Sequence, residues 1–282
     1  MRYRYYFAQL YNEQLKKFLD NNGIKYKFTE KTEFTSASLV FEISSTTQNA
    51  EKYLAELKNI TFGSPHVSVE FTPSECAKAE LLMMRPRSQS IDIVNSAEAY
   101  TYACKWTNSF GVKKVKHQKQ VGTFKIAKEP SMKTKTAFWC NSPGFAEIFT
   151  DYRVRDLVTK NELKGIEFKN VVQKKGNLSE KLFQLSSDNV LRKECIGRGF
   201  GEKIITCPQC GREQYAIEDS YQLHLDFSKI KETSDLYMTE RMFGYGFAEP
   251  LYLISQRFYQ LLKEANLAGG VMFAPVVDIS KK

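Results

Sequence analysis

The chain repeats itself. Gly144-Phe145-Ala146-Glu147 returns 102 residues later as Gly246-Phe247-Ala248-Glu249, and each copy leads into an amphipathic stretch, a glycine and an apolar run. After an insertion of Pro250, Leu251 and Tyr252, residues 150–172 align with 255–277 without a gap. Identities fall at Leu157/Leu262, Asn161/Asn266, Gly165/Gly270, Phe168/Phe273, Val171/Val276 and Val172/Val277. Ordinary composition would supply roughly one or two such matches. The period is too long for a solenoid, whose units are a few tens of residues. The spacing therefore predicts a duplicated half-domain: two similar α+β lobes about a pseudo-twofold axis, each with a capped helix, a glycine break and a strand.

The expected caps are Thr150 and Ser255, whose hydroxyls can accept from a first-turn N–H. The expected buried faces are Val154, Leu157 and Val158 in one helix and Phe258, Leu261 and Leu262 in the other. Glu147 and Glu249 recur with the motif and read as structural, capping the helices that follow. Further upstream, Tyr102-Ala103-Cys104-Lys105-Trp106-Thr107 precedes Ile205-Thr206-Cys207-Pro208-Gln209-Cys210 by 103 residues. That offset aligns Cys104 with Cys207 and leaves Thr107 where Cys210 stands. Gly122 to Lys128 and Leu225 to Lys231 read as strands with Phe124 and Phe227 in register.

Residues 1–71 read as a small sheet-and-helix domain. A strand over Arg2 to Gln9 precedes a helix over Asn12 to Leu19, which Asn22-Gly23 stops. Ile24 to Thr29 and Ser38 to Ile43 alternate as half-buried strands do. Thr47 caps a helix over Gln48 to Leu57, and Val67 to Phe71 closes a sheet with its helices on one side. Residues 72–99 form a bridge in which Thr72-Pro73-Ser74-Glu75 starts a helix through Ala77 to Met84 that Pro86 ends. The first lobe then spans 100–172 and the second 173–282. The fold class expected is α+β: a small N-terminal domain followed by a duplicated domain with one zinc-knuckle-like turn.

That turn is Cys207-Pro208-Gln209-Cys210-Gly211. Two thiolates at this spacing can reach one tetrahedral zinc from a tight turn, with Gly211 giving the backbone its freedom. A complete site needs two more ligands. The candidates are Cys104, Cys140, Cys195, His117 and His224, of which the repeat favours Cys104. The expected metal set is Cys207, Cys210 and Cys104 around one structural zinc. A redox role is disfavoured, because no helix opens on Cys207 to lower its pKa.

No catalytic residues are assigned: the chain has no P-loop, no dinucleotide fingerprint, no H-E-x-x-H and no nucleophile elbow. It contains three histidines, so general bases are few. Six cysteines in 282 residues suit thiols or a metal better than a disulfide framework. The chain has no run of 18 apolar residues and no signal-like N-terminus, so a cytoplasmic protein without a membrane span is expected. The formal charge of +9, with the run Lys113 to Lys119 between Trp106, Phe110 and Phe124, fits nucleic acid or an acidic protein partner.

The knuckle, together with Leu253-Ile254-Ser255-x-Arg257-Phe258, Leu261-Leu262, Leu267-x-Gly269 and Phe273-x-Pro275-Val276, resembles the bacterial double-CXXCG motif proteins. It is also similar to the wider group of polymorphic-toxin immunity proteins. The resemblance covers about residues 100–282, and the second knuckle is only half present in Cys104 and Thr107. It implies a structural metal shared between knuckles and a non-enzymatic protein that neutralises a cognate toxin by binding it. The alternative expectation is a zinc-knuckle protein that binds nucleic acid. The partner-binding residues are not legible.

Overall fold

The computed structural model describes residues 2–31, 36–61, 66–86, 90–106, 115–132, 135–141, 147–197, 203–207, 211, 213–215, 222–243 and 249–281. At 66–68, 90, 102–106, 115–119, 203–205 and 249 the description is of the backbone alone. The chain divides into two compact units, Met1–Glu75 in one and Cys76–Glu218 with Gln222–Lys282 in the other. No helix among the described residues is long and apolar enough to cross a membrane.

In the first unit β1 (Arg2–Leu10), α1 (Glu13–Asn21), β2 (Tyr26–Thr29), β3 (Ser38–Ser44), α2 (Ala50–Leu57) and β4 (His66–Glu70) follow in turn. The sheet order is β2-β3-β1-β4 with every pair antiparallel, the split β-α-β-β-α-β arrangement. Alternation along the strands turns Phe7, Leu39, Phe41 and Ile43 toward Leu15, Phe18, Leu19 and Leu57 of the helices. Phe7 and Phe41 stack with ring centroids 4.6 Å apart. Asn12 Oδ1 accepts from Leu15 N at 2.6 Å to start α1, and Gly23 at φ +62 ends it. The start of α2 differs from expectation: Asn49 at φ +65 precedes Ala50, and it is the carbonyl of Thr47 that accepts from Ala50 N.

After α3 (Pro73–Lys78) come β5 (Leu81–Pro86), β6 (Ser90–Ile91), α4 (Ser96–Ala99), β7 (Tyr100–Trp106), β8 (Val115–Gln120), β9 (Lys125–Ile126), β10 (Phe138–Asn141), β11 (Ile148–Asp151), α5 (Tyr152–Lys160), β12 (Glu167–Gln173) and β13 (Leu178–Ser186). The chain continues with β14 (Val190–Leu191), β15 (Lys203–Thr206), β16 (Glu213–Tyr215), β17 (His224–Leu225), β18 (Leu236–Phe243), β19 (Glu249–Ser255), α6 (Gln256–Glu264), β20 (Val271–Pro275) and β21 (Val277–Asp278). Two large sheets result, β6-β10-β11-β13-β12-β9 and β15-β16-β18-β19-β5-β20 with β14 also on β18, beside two-stranded pairs β7-β8 and β17-β21. The protein is therefore of mixed α+β class with several sheets.

The helix expected over Ala77 to Met84 is not there. α3 ends at Lys78, and Leu81 to Pro86 is a strand held between β19 and β20. Its residues are buried nearly throughout because a central strand is covered on both faces. The strands expected over Gly122 to Lys128 and Leu225 to Lys231 are likewise shorter. Only Lys125–Ile126 and His224–Leu225 pair, and Phe227–Lys229 forms a 3-10 turn, so Phe124 and Phe227 are not in register.

One pattern of pairing occurs twice. β10-β11-β13-β12 in one sheet and β18-β19-β5-β20 in the other are antiparallel runs in which a hairpin leads through a helix to a strand two places away. The registers agree residue by residue. Asp151 pairs with Leu182 as Ser255 pairs with Leu81, and Phe168 with Leu185 as Phe273 with Met84. The short parallel strands follow suit: Ser90 and Ile91 lie on Cys140 and Asn141 as Val190 and Leu191 lie on Met238 and Thr239. At the other edge, Lys125 pairs with Val172 as His224 pairs with Val277. The central strand of the second sheet, β5, comes from the start of the unit, whereas that of the first, β13, follows β12 in a hairpin.

Asp151, not Thr150, caps α5, its carboxylate accepting from Arg153 N at 3.0 Å; the Thr150 hydroxyl donates to Ala137 O at 2.9 Å. Ser255 caps α6 as expected, accepting from Phe258 N at 3.0 Å. After each helix the chain turns through the left-handed region, at Glu162 and Gly165 in one case and Asn266 and Gly270 in the other. These turns cross between the sheets. Lys164 exchanges hydrogen bonds with Asp235, while Ala268 and Gly269 bridge to Thr136.

Candidate functional site

Cys207 lies just beyond the end of β15 and is 1% exposed. Gly211 donates its N–H to Cys207 O at 2.9 Å and sits at φ +71. Cys210 lies outside the described residues. Cys104 is within β7, its Cα opposite that of His117 in β8, and its side chain is outside the description. Cys104 thus comes from mid-strand, where the repeat had set it as the counterpart of Cys207. Among the described residues no group of three or more His, Cys, Asp or Glu side chains is arranged to hold a metal. Cys76, Cys140, Cys195 and Cys207 are buried and form no disulfide.

The repeated acid is not a helix cap. Glu147 precedes β11 and is 9% exposed, and its N–H donates to Asn141 Oδ1 at 3.2 Å. Its Oε2 is buried without a hydrogen-bond partner. Burial raises the carboxyl from its ordinary value to about 7, partly opposed by a hydrogen bond with Tyr100. Of Gly246-Phe247-Ala248-Glu249, the first three residues and the Glu249 side chain lie outside the description.

Sequence reasoning missed the cleft beside β14. It has a volume of ≈ 940 Å³, with one wall from residues 188–195, the other from 228–232, and Tyr237 at its base. Leu191, Cys195 and Tyr237 are buried, while Arg192, Lys193, Glu194, Lys229, Lys231 and Glu232 are exposed. Cys195 Sγ donates to Lys229 O at 3.5 Å, tying the walls together. Tyr237 Oη donates to Glu232 O and accepts from Ser234 N, both at 2.8 Å, which fixes the second wall to the sheet. Burial pushes both the Cys195 thiol and the Tyr237 phenol above their ordinary values, so the base is uncharged at neutral pH. The Lys229 ammonium is held by Asp226 at 2.9 Å, and Glu240 accepts from Lys193 N at 2.8 Å. In the first sheet the position matching Tyr237 is Trp139, which packs in a core with Ile91, Phe124, Ile126 and Met132. A sequence cannot signal such a cleft, since its walls read as solvated charged loops.

No protein-family model matches the chain, and no curated protein matches it.

Proposed function

We propose that the chain is an immunity-type binding protein that neutralises a cognate toxin by direct protein–protein contact. The observation carrying this reading is the cleft at Tyr237, a neutral base under a rim of both charges. A neutral floor and mixed polar rim suit a protein surface better than a single small anion, and rim charges speed and orient association. The net positive charge favours a toxin with an acidic face.

The second unit is, on this reading, two copies of one half-domain that have exchanged central strands, β5 serving the second copy and β13 the first. The matching registers and the paired left-handed turns support it. One structural zinc on Cys207, Cys210 and Cys104 is part of the same proposal, supported by the Gly211 turn and the knuckle spacing. The metal would tie the β7–β8 and β15–β16 hairpins together and takes no part in chemistry.

The test is a binding titration of the purified chain against the purified product of each gene that flanks its own. A stoichiometric complex at submicromolar concentration supports the reading. No complex, with salt-sensitive shifting of nucleic acid instead, would replace it by the zinc-knuckle nucleic-acid binder.

A further inference from the structure

Glu147 and Leu251 hold corresponding places. Cys140 pairs with Ile148 as Met238 pairs with Tyr252, so the residue before each pair falls opposite Asn141 and Thr239 respectively. Each donates its backbone N–H to the side chain opposite: Glu147 to Asn141 Oδ1 at 3.2 Å, Leu251 to Thr239 Oγ1 at 2.9 Å. They are 9% and 8% exposed. A carboxyl thus occupies a site that takes leucine in the other sheet, and its Oε2 has no hydrogen-bond partner.

We propose that Glu147 is a proton-operated latch on the β10–β11 end of the first sheet. Protonated, the side chain packs as a neutral group and the exchange of hydrogen bonds between Glu147 and Asn141 holds the strand ends together. Ionised, the carboxylate has one oxygen buried without a donor, so the charged form is stabilised by moving outward, which opens that end of the hairpin. Among the described side chains the titratable neighbour is Tyr100 from β7, and Asn141 of β10 is neutral. Along β13, Gln184 forms a reciprocal amide pair with Gln120 at 2.7 and 2.8 Å, and Ser186 is neutral too. Glu167 of β12 pairs with Ser186 from its far side, and a hydrogen bond with Asp188 raises its carboxyl above the ordinary value. No described cation faces Glu147 to hold its ionised form inside. Burial of the group places its titration near neutrality, where small changes of pH act on it.

The experiment compares wild type with Glu147→Gln and Glu147→Leu. Carbon NMR on protein labelled at glutamate Cδ, with the Glu147 resonance assigned by its loss in Glu147→Gln, should show a titration midpoint near 7. Exchange protection of the Glu147 and Asn141 amides, corrected for intrinsic rates, should fall at least tenfold from pH 6 to pH 8 in wild type and stay level in both variants. A midpoint near 4.5, or protection that is level in wild type, overturns the latch. If Glu147→Leu fails to fold, the Gln variant and the wild-type titration still decide the matter.

Discussion

The carboxylate of Asp235 accepts a hydrogen bond from the Ser255 hydroxyl at 2.6 Å and a second from Lys164 N at 2.8 Å. One buried side chain therefore joins the start of β18 to the cap of α6 and to the turn after α5. Replacing Asp235 with Ala leaves the Lys164 N–H without its acceptor and should cost about 2–3 kcal/mol. Ser255→Ala should cost about 1 kcal/mol, as the loss of an N-cap does. Urea unfolding of the two variants and their double should show less than additive loss, because they share one hydrogen bond.

Two glycines at the same kind of turn should differ in what they tolerate. Gly165 is at φ +70, and an added Cβ would overlap Ser234 Oγ and Asn189 Nδ2, which hydrogen-bond each other at 2.8 Å. Gly270 is at φ +76 and an added Cβ would meet Thr136 only at 3.4 Å. Gly270→Ala should lose about 1 kcal/mol from the backbone conformation alone, and Gly165→Ala clearly more. Thermal melts of the pair would show it: equal losses would mean that the Ser234 contact yields freely.

Stability should depend on pH through Glu147. Its folded carboxyl titrates at about 7 against an ordinary 4.5, so the folded state holds a proton that the unfolded state has released. That contribution is fully present below pH 4.5 and shrinks as pH rises toward 7, by about 3 kcal/mol in all, with no further change above. Urea midpoints from pH 5 to 8 should fall in wild type more steeply than in Glu147→Gln.

Elemental analysis decides the metal. Wild-type protein should contain one zinc per chain and Cys207→Ser none; zinc-free wild type would remove the metal from the account.

The sequence made α1, α2, α5 and α6 legible because their signals are local, although Thr47 and Thr150 are not the caps. Asn12, Ser255, Gly23 and Gly165 act through their own backbone or that of the next turn. The central strand β5 was not legible, because Leu81-Leu82-Met83-Met84 is apolar throughout and a strand buried on both faces has no alternation to separate it from a helix. Its partners lie far away in sequence, at Ser255 and Phe273. The alignment of residues 150–172 with 255–277 was one residue out along the helices: the caps are Asp151 and Ser255, and an extra residue before Gly270 restores the step. Glu147 matched Glu249 by motif, whereas strand register matches it to Leu251, two residues further on. Its burial follows from neighbours that strand pairing brings together.

The central claim is that this chain disarms a toxin through the Tyr237 cleft, and protection in living cells tests it most directly. Bacteria whose growth is arrested by expressing the product of a gene that flanks this one should grow when wild-type chain is supplied. Lys193→Glu with Lys231→Glu, two exposed side chains of the cleft whose reversal leaves the Lys229–Asp226 pair in place, should reduce protection at least tenfold in surviving cells. Failure of the wild-type chain to protect would contradict the claim of toxin neutralisation. Full protection by the charge-reversed chain would contradict the assignment of the cleft.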